Sequence, residues 1–501
     1  MVRGITYATE RDWLLQCEPR IVQLEALSRS YFGTTAYMPD GSTNPVTIRN
    51  DLSPAYGWGH YLEMRLGKTS VALAEMSLAA RDEITDKFLV FSPNKFVGDW
   101  EKEAIDKKSP IVPKPITTKD IHKGLLRKAE KGAFVINYEA LAQGPVSHEI
   151  AQWAQNAMVV ADESIWIKNP SSKTSKAVIA AGKSARLTRC LSGKPMTQGP
   201  HDLWTQLRFM GENNGMSFVI FRNAFCRMGG YMGKQVMGVN ESNSARLKNM
   251  LDQCSWFATK MEWLGIGAPD HAQRWVDMTP AQKKMYLVME RDFMIMLNNE
   301  VVSADQVVTM LLKLQQIASG FVYDENKQTQ WIEKEPPRAK EIEYILENEI
   351  PEGHKVLVLA HYRPSMDILI SMLSKYNPAV IRDDGWHRHY DRPVINEKNR
   401  FNNDPSCRVM IGQIKSTKYG HMLMGNKSNP CLHTIFYENT YSLDDRSQCE
   451  ERNRGVGQLG QTTVIDLVSN SRDVDITKAL ARKESVFNTV MKGKKTNDVA
   501  A

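Results

Sequence analysis

The segment Gly67–Ser70, with the sequence GKTS, has residue types suited to binding phosphate. It leads into an apolar-periodic run, the pattern of a phosphate-binding loop joined to a helix N-terminus. There Gly67 lets the backbone approach phosphate, Lys68 reaches the β- and γ-phosphate oxygens, and the Thr69 hydroxyl is a Mg²⁺ ligand. Ser70 joins this predicted nucleotide-binding set. The strict motif has glycine where this chain has Leu62, so an ordinary helix start stays an alternative at this point.

Two adjacent carboxylates, Asp162 and Glu163, follow the apolar run Met158–Ala161. This run predicts a buried parallel strand, and open parallel sheets bind ligands at the carboxyl ends of their strands. Asp162 is predicted to hold Mg²⁺, directly or through water, and Glu163 to orient and deprotonate an attacking water. Acidic residues also end ordinary strands at the surface. The pair indicates a nucleotide site only because a phosphate loop precedes it in the sequence.

Strand and helix patterns alternate around both motifs. Lys87–Pro93 and Ala133–Tyr138 are further apolar runs of strand length, and Lys355–His361 begins a second series of the same kind. Between the two series lies a Gly-, Met- and Asn-rich region with helical periodicity. The alternation predicts an α/β fold with parallel sheets, in which the strand ends position the chemical groups.

Length, charge and cysteine content limit the class of protein that this sequence can encode. The 501 residues correspond to about three domain-sized units, and the net charge of +7 permits a polyanionic partner without proving one. The seven cysteines form no C-x-x-C pair, which predicts reduced thiols and no zinc module. His387 and His389 are interpreted as a surface loop rather than a metal site. The lack of a signal core and of a long apolar run predicts a cytoplasmic protein.

Five segments resemble, in order, the motifs of Swi/Snf-type motors of helicase superfamily two. They are LVFSPNKFVGDWEKE (89–103), VINYEAL (135–141), ADESIWIKNPSSKTSKA (161–177), LSGKPMTQGPHDLWTQLRFM (191–210) and the arginine-finger-like QCEERNRGVGQ (448–458). The resemblance covers about residues 20–485 and implies a minimal bacterial or phage form of this family.

The resemblance implies two RecA-like lobes with parallel sheets and helical insertions between them. We expect a first lobe at 1–212, which carries the phosphate loop and the Asp-Glu box. Helical insertions and a linker are expected at 213–340, and the second lobe, with the arginine-finger motif, at 341–501. ATP and Mg²⁺ are then the implied cofactors, bound in a cleft between the lobes.

The resemblance also assigns roles to residues outside the two motifs. Gln23, upstream of the phosphate loop, is in the position of a family glutamine that recognises adenine. The alternative is that Gln23 is a solvent-exposed helix residue without such a role. Arg452 occupies the first arginine position of the finger motif. The second position falls on Gly455, and the chain has Arg454 one residue earlier. Either a local bulge brings Arg454 into the site, or Arg452 acts alone; both are predicted to be catalytic with Lys68 and Glu163.

Two substitutions depart from the family pattern near these groups. Arg65 replaces a glycine of the phosphate loop, and Lys194 replaces the threonine of the Thr-Gly-Thr-Pro motif. Arg65 either adds charge beside the phosphates or pairs with an acid such as Glu63. Neither substitution removes an essential catalytic group.

Contacts to nucleic acid are expected from loops at the strand ends. Ser416–Gly420 stands where the family has a Gly-rich turn that contacts nucleic acid. Contacts through phosphates carry no base information, so we predict sequence-nonspecific, salt-dependent binding. The predicted contact residues are Lys95, Lys168, Lys173, His361, Tyr362, Ser416 and Thr417.

The sequence therefore predicts a DNA-stimulated ATPase that translocates on double-stranded DNA, as a monomer, in remodelling, replication-fork processing, recombination or repair. Replication or recombination proteins are its expected partners, and no membrane is expected. One alternative is a helicase that separates or anneals strands of branched DNA or RNA. A second alternative is a non-catalytic DNA-binding clamp, against which the intact Lys68 and Glu163 argue.

Overall fold

The computed structural model describes residues 20–37, 43–47, 54–229, 235–299, 304–382, 394–418 and 422–492. His387, His389 and Gly420 lie outside these ranges. The contacts within the chain divide it into two compact units. The first comprises Met1–Ile266 and Lys483–Ala501, and the second comprises Gly267–Arg482.

The first unit alternates strands and helices. Its strands are β1 (Thr34–Tyr37), β2 (Thr43–Thr47), β3 (Gly57–Leu62), β4 (Lys87–Ser92), β5 (Lys114–Pro115), β6 (Gly132–Asn137), β7 (Met158–Ala161), β8 (Leu187–Leu191), β9 (Cys226–Gly229), β10 (Gln235–Val239) and β11 (Ser255–Ala258). Its helices are α1 (Ile21–Tyr31), α2 (Lys68–Arg81), α3 (Val97–Asp106), α4 (Thr118–His122), α5 (Leu125–Lys128), α6 (Gly144–Trp153), α7 (Lys173–Lys183), α8 (Leu203–Met210), α9 (Phe218–Phe225), α10 (Ser244–Cys254) and α11 (Lys260–Leu264).

Seven of these strands form one parallel sheet in the order β11-β3-β8-β7-β4-β6-β5. Its central strands are mostly apolar because both faces of the sheet are covered. In β4, for example, Phe88 and Val90 pack into one core cluster, whereas Leu89 and Phe91 pack into the cluster on the opposite face. The strand order places the ends of β3, β8 and β7 side by side.

The second unit has a smaller sheet of the same type. Its strands are β12 (Asp270–Trp275), β13 (Phe321–Tyr323), β14 (Thr329–Trp331), β15 (Lys355–Ala360), β16 (Ala379–Ile381), β17 (Val409–Gln413), β18 (Cys431–Phe436) and β19 (Thr463–Val468). Its helices are α12 (Pro280–Asn299), α13 (Ala304–Ala318), α14 (Pro337–Asn348), α15 (Arg363–Met372), α16 (Val394–Asn403), α17 (Ile414–Thr417), α18 (Leu443–Glu450) and the first part of α19 (Ser471–Lys492).

Six strands of this unit are parallel, in the order β12-β19-β18-β15-β17-β16. Strand β15 again divides its side chains between two core clusters, with Val356 and Val358 on one face and Leu357 and Leu359 on the other. No helix in the described ranges is long and apolar enough to cross a membrane.

The predicted α/β fold with two RecA-like, parallel-sheet lobes is confirmed. The predicted middle segment 213–340 does not form a unit of its own by contacts, because residues up to Ile266 belong to the first unit and residues from Gly267 to the second. The three-part division of the chain stays a prediction.

Candidate functional site

The phosphate loop connects β3 to α2 in the first unit. Gly67 has φ +89°, a left-handed conformation that glycine adopts without strain, and it immediately precedes α2. Because Gly67 has no side chain to cap the helix, the first backbone N–H groups of α2 are available to an anion. Lys68 is buried, and its Nζ donates a hydrogen bond to the Leu62 carbonyl oxygen at 3.1 Å.

Arg65 also has a left-handed backbone, with φ +70°. This conformation favours glycine, which gives a physical reason for the glycine that the family has there. Its carbonyl oxygen accepts a hydrogen bond from Arg20 Nη1 at 2.6 Å. Glu63, the acid suggested as its partner, accepts the backbone N–H of Lys260 through Oε2 at 2.9 Å.

Gln23 on α1 lies against the phosphate loop. Its Oε1 accepts the backbone N–H of Arg20 at 2.8 Å. A Cβ placed on Gly67 would lie 1.9 Å from Gln23 Nε2, so the Gln23 amide fills the space that the missing side chain leaves. The structure therefore brings Gln23 to the loop, and its predicted contact with adenine stays a prediction.

The two hydroxyls of the loop have different surroundings. Thr69 is half-buried in the first turn of α2. Ser70 is buried, donates to Glu103 Oε1 at 2.7 Å and accepts a hydrogen bond from Lys107. The Ser70 hydroxyl thus joins the phosphate-loop helix to α3, and its predicted nucleotide contact stays a prediction.

Asp162 follows β7 and is held by several donors. Its Oδ2 accepts hydrogen bonds from Ser92 Oγ and Trp100 Nε1, each at 3.0 Å, and its Oδ1 accepts the backbone N–H of Glu163 at 3.0 Å. Tyr138 donates from its hydroxyl to the Asp162 carbonyl oxygen at 2.7 Å. Burial raises the pKa of the Asp162 carboxyl, while these donors and the charge of Lys68 oppose the rise.

Glu163 has φ +45° and ψ +58°, a left-handed backbone that is unusual for a residue with a side chain. Such strain is concentrated at functional sites, where the surrounding structure enforces it. The Glu163 side chain is half-buried, whereas Asp162 beside it is buried. The pair thus presents one fixed carboxylate and one that is accessible to water.

The segment after β8 lies between the phosphate loop, which follows β3, and the Asp162–Glu163 pair, which follows β7, because β8 separates these two strands. At Gly193 an added Cβ would lie 3.2 Å from Met64 Cγ and 3.5 Å from Lys68 Nζ. Lys194 forms an ion pair with Glu484 and lies 5.2 Å from the ring centroid of Phe487, on the part of α19 that belongs to the first unit. This contact explains the long basic side chain where the family has threonine.

The residues of this site fit a magnesium nucleotide. Mg²⁺ prefers carboxylate and hydroxyl oxygens, which Asp162 and Thr69 supply, and usually keeps several waters. A cation beside the buried Asp162 would stabilise its ionised form, as the charge of Lys68 does. Lys68 and the start of α2 supply the donors and the positive charge that phosphate needs.

The two predicted finger arginines lie in the second unit and differ in their partners. Arg452 is buried, and its Nε donates to the Gln448 carbonyl oxygen at 2.8 Å. Arg454 pairs with Glu451 at 2.5 Å and also donates to the Gly267 carbonyl oxygen. Their catalytic roles stay predictions.

Three of the predicted nucleic-acid contacts lie in the first unit, after β4 and β7. Lys95 and Lys173 are exposed, and Lys173 is the first residue of α7. Lys168 is half-buried and donates from Nζ to Thr197 Oγ1 at 3.3 Å. Because β4 and β7 are neighbours, Lys95 and Lys168 share one edge of the sheet.

The other four lie in the second unit, after the neighbouring strands β15 and β17. His361 donates its backbone N–H to Glu438 Oε2 at 2.8 Å, and burial lowers the pKa of its imidazole. Tyr362 donates from its hydroxyl to Gln315 Oε1 at 2.8 Å. Ser416 and Thr417 are buried. The contacts of these four residues with nucleic acid stay predictions.

The sequence motifs assign no roles to the residues that hold Asp162. Ser92 is the last residue of β4, Tyr138 directly follows β6, and Trp100 lies on α3 within the family-like segment 89–103. The positions of Ser92 and Tyr138 at strand ends are a signal for the same edge of the sheet. Their convergence on one carboxylate depends on the strand order.

Comparison with known proteins identifies the family. The family model described as the SNF2-related domain matches residues 62–320. Protein p41 of Acyrthosiphon pisum secondary endosymbiont phage 1 is 23% identical over 339 residues, which cover 64% of this chain and 73% of p41. The mouse DNA annealing helicase and endonuclease ZRANB3 is 24% identical over 445 residues, which cover 86% of this chain and 39% of the mouse protein.

Among solved structures, the Sulfolobus solfataricus SWI2/SNF2 ATPase core in complex with dsDNA matches with 20% identity and a TM-score of 0.39. The match covers 89% of this chain and 90% of that one. The phage relative agrees with the expected kinship to phage motors. The matched family domain includes the phosphate loop, the Asp162–Glu163 pair and the segment after β8. The chain therefore belongs to the family of SNF2-related domains, whose members are ATP-hydrolysing motors of helicase superfamily two.

Proposed function

We propose that this protein is an ATP- and Mg²⁺-dependent translocase on double-stranded DNA that acts without sequence preference. The observation that carries the proposal lies in the first unit. There the uncapped start of α2, with Lys68, shares a sheet edge with a buried Asp162 and the more accessible Glu163. This is the set of groups that phosphoryl transfer from ATP to water requires.

Each residue has a physical role in this proposal. The start of α2 binds phosphate oxygens, and Lys68 leaves the Leu62 carbonyl to neutralise their charge. Glu163 orients a water molecule and accepts its proton. Asp162 and Thr69 would hold Mg²⁺, which when bound supplies further positive charge to the phosphates. Ser92 and Trp100 keep the Asp162 carboxylate in place.

Support for DNA as the partner comes from the family and from charge. The net charge is +7, and the exposed Lys95 and Lys173 lie in the segments that follow strands β4 and β7 of the first sheet, with Lys173 at the start of α7. Lysines at such positions bind the phosphate backbone and carry no base information. We expect the protein to work as a monomer and its ATP hydrolysis to be stimulated by duplex DNA.

A triplex-displacement assay on duplex DNA, run together with ATPase measurements, tests this function. The wild type is expected to displace the third strand with ATP while the duplex stays paired. Glu163→Gln is expected to lower turnover at least about 100-fold, because it removes the general base. Lys68→Ala is expected to lose nucleotide affinity and turnover. Glu130→Gln, at an exposed glutamate of the same unit, is the matched control and should behave as the wild type.

Different outcomes would favour the alternatives. Separation or annealing of strands without third-strand displacement favours a helicase, as the name of the mouse relative suggests for that protein. Stronger stimulation by RNA than by DNA would contradict the choice of partner. Nucleic-acid binding by a wild type that hydrolyses no ATP would favour a clamp.

A further inference from the structure

A tryptophan lies at the surface of the first unit, three residues after Glu163. Trp166 belongs to a single turn of 3₁₀-helix, Ser164–Ile167, that follows the carboxylate pair. Its neighbours Ile165 and Ile167 are buried, whereas Trp166 is 39% exposed. The two isoleucines anchor the turn in the core, so the indole is held outwards.

The Trp166 ring is stacked on a fixed second ring. It is parallel to Tyr138 within 4°, with 5.9 Å between the ring centroids. Tyr138 is 1% exposed, and its hydroxyl is bound to the Asp162 carbonyl oxygen. Tyr138 covers one side of the indole and limits its movement. A third aromatic ring can then be added to the stack from the solvent side with little loss of side-chain entropy.

Polar and basic residues lie on the neighbouring segments of the same sheet edge. Strands β7, β4 and β6 are neighbours, so the loop of Trp166 lies beside the loops that follow β4 and β6. Those loops carry Asn94, Lys95 and Asn137, and Asn137 Nδ2 donates to Asn94 Oδ1 at 3.0 Å. The turn is also joined to α7, whose first residue is the exposed Lys173, because Ser175 Oγ donates to the Ile167 carbonyl oxygen at 2.9 Å.

An exposed aromatic ring on a sheet edge that also carries exposed lysines fits an aromatic ligand with negative charge. We propose that Trp166 stacks on an unpaired base of bound DNA, and that this motor therefore prefers DNA with unpaired bases beside duplex to continuous duplex. This inference rests on the proposed function, because it names the DNA structure on which that function acts. A base inside a continuous duplex has both faces covered by its neighbours, so only an unpaired base can offer a face to the indole.

The experiment measures binding to three DNAs of equal length. They are a continuous duplex, the same duplex with a short single-stranded gap, and the gapped duplex with abasic sites in the gap. The wild type is expected to bind the gapped DNA about 5- to 150-fold more tightly than the continuous duplex, the range that stacking of one base supplies. The abasic gap should bind no more tightly than the duplex.

Substitutions at Trp166 test whether its indole causes the preference for gapped DNA. Trp166→Ala is expected to lose the preference for the gap while its affinity for continuous duplex stays within about twofold of wild type. Trp166→Phe should keep part of the preference, because a smaller ring still stacks. Trp331→Ala, at an exposed tryptophan of the second unit, is the matched control and should keep all of it. A 2-aminopurine base in the gap should be quenched by the wild type and not by Trp166→Ala.

Several results would overturn the inference. These are equal wild-type affinities for gapped and continuous DNA, an abasic gap bound as tightly as a normal one, and a Trp166→Ala variant that keeps the preference. A raised KM for ATP with unchanged DNA preference would assign the ring to the nucleotide instead. If the wild type translocates on duplex DNA but binds gapped and continuous DNA equally, the inference about Trp166 fails while the proposed function stands. If it hydrolyses no ATP with any DNA, the proposed function fails.

Discussion

Replacing Gly67 by alanine tests how the phosphate loop is built. The substitution places a methyl group on a backbone with φ +89°, 1.9 Å from the present position of Gln23 Nε2. The amide is at the end of a flexible side chain, so it can move aside. When it moves, Gln23 loses the hydrogen bond from the Arg20 backbone to its Oε1.

The two costs have separate magnitudes. A left-handed backbone costs alanine about 1–2 kcal/mol relative to glycine, and about 0.4–1 kcal/mol of this is offset because alanine has less entropy in the unfolded chain. Loss of the Gln23 hydrogen bond adds about 1 kcal/mol. We therefore expect Gly67→Ala to lower the free energy of unfolding by about 2 kcal/mol in the wild type and by about 1 kcal/mol in a Gln23→Ala background.

Urea denaturation of the four proteins in this double-mutant cycle measures both terms. The expected coupling between the two sites is about 1 kcal/mol, well above the roughly 0.3–0.5 kcal/mol within which independent sites add. Titration with a fluorescent ATP analogue should show weaker binding by Gly67→Ala in both backgrounds, because the methyl group stays beside the first turn of α2. Equal destabilisation in the two backgrounds would refute the assignment of Gln23 to the space beside Gly67.

Two further predictions concern charges in the first unit. Burial raises the pKa of the Glu75 carboxyl, but the charges of Arg189 and His60 outweigh it and lower the pKa from 4.5 to about 2. The ionised carboxylate thus contributes about 3 kcal/mol above about pH 4.5, which is lost as the pH falls towards 2. The free energy of unfolding should fall more steeply across this range in the wild type than in Glu75→Gln, and equal slopes would contradict the prediction. Lys194→Thr removes a partly exposed ion pair with Glu484 and a contact with a ring, and should cost about 1 kcal/mol. Glu484→Gln should cost less, and a loss that is unchanged in high salt would contradict the ionic part.

Local sequence patterns predict much of the first unit because strands and helix starts depend on residues that are close together in the chain. Met158–Ala161 has the apolar character of a strand covered on both faces, and it is β7 of the central sheet. Gly67-Lys68-Thr69 predicted a loop before a helix, and α2 begins at Lys68. The order of the family motifs along the chain added the family itself, which the matched domain confirms.

Other features depended on conformation that residue types alone do not reveal. Arg65 was seen in the sequence as the replacement of a glycine, but its two suggested roles could not be separated. The structure adds that the position has φ +70° and that Glu63 binds the backbone of Lys260. Likewise, the sequence predicts Ser70 as a nucleotide contact but does not reveal that its hydroxyl also donates a hydrogen bond to Glu103 in the folded chain.

The sequence by itself determined the class of fold, the family and the residue types of the nucleotide chemistry. These follow from periodicity and motif order, which are properties of short segments. The tertiary structure decided which distant groups meet. Strand order brings Ser92 and Tyr138 to Asp162, and the packing of α3 adds Trp100. It also places Trp166 parallel to Tyr138 at the same edge, a contact between loops that are 28 residues apart and belong to different strands.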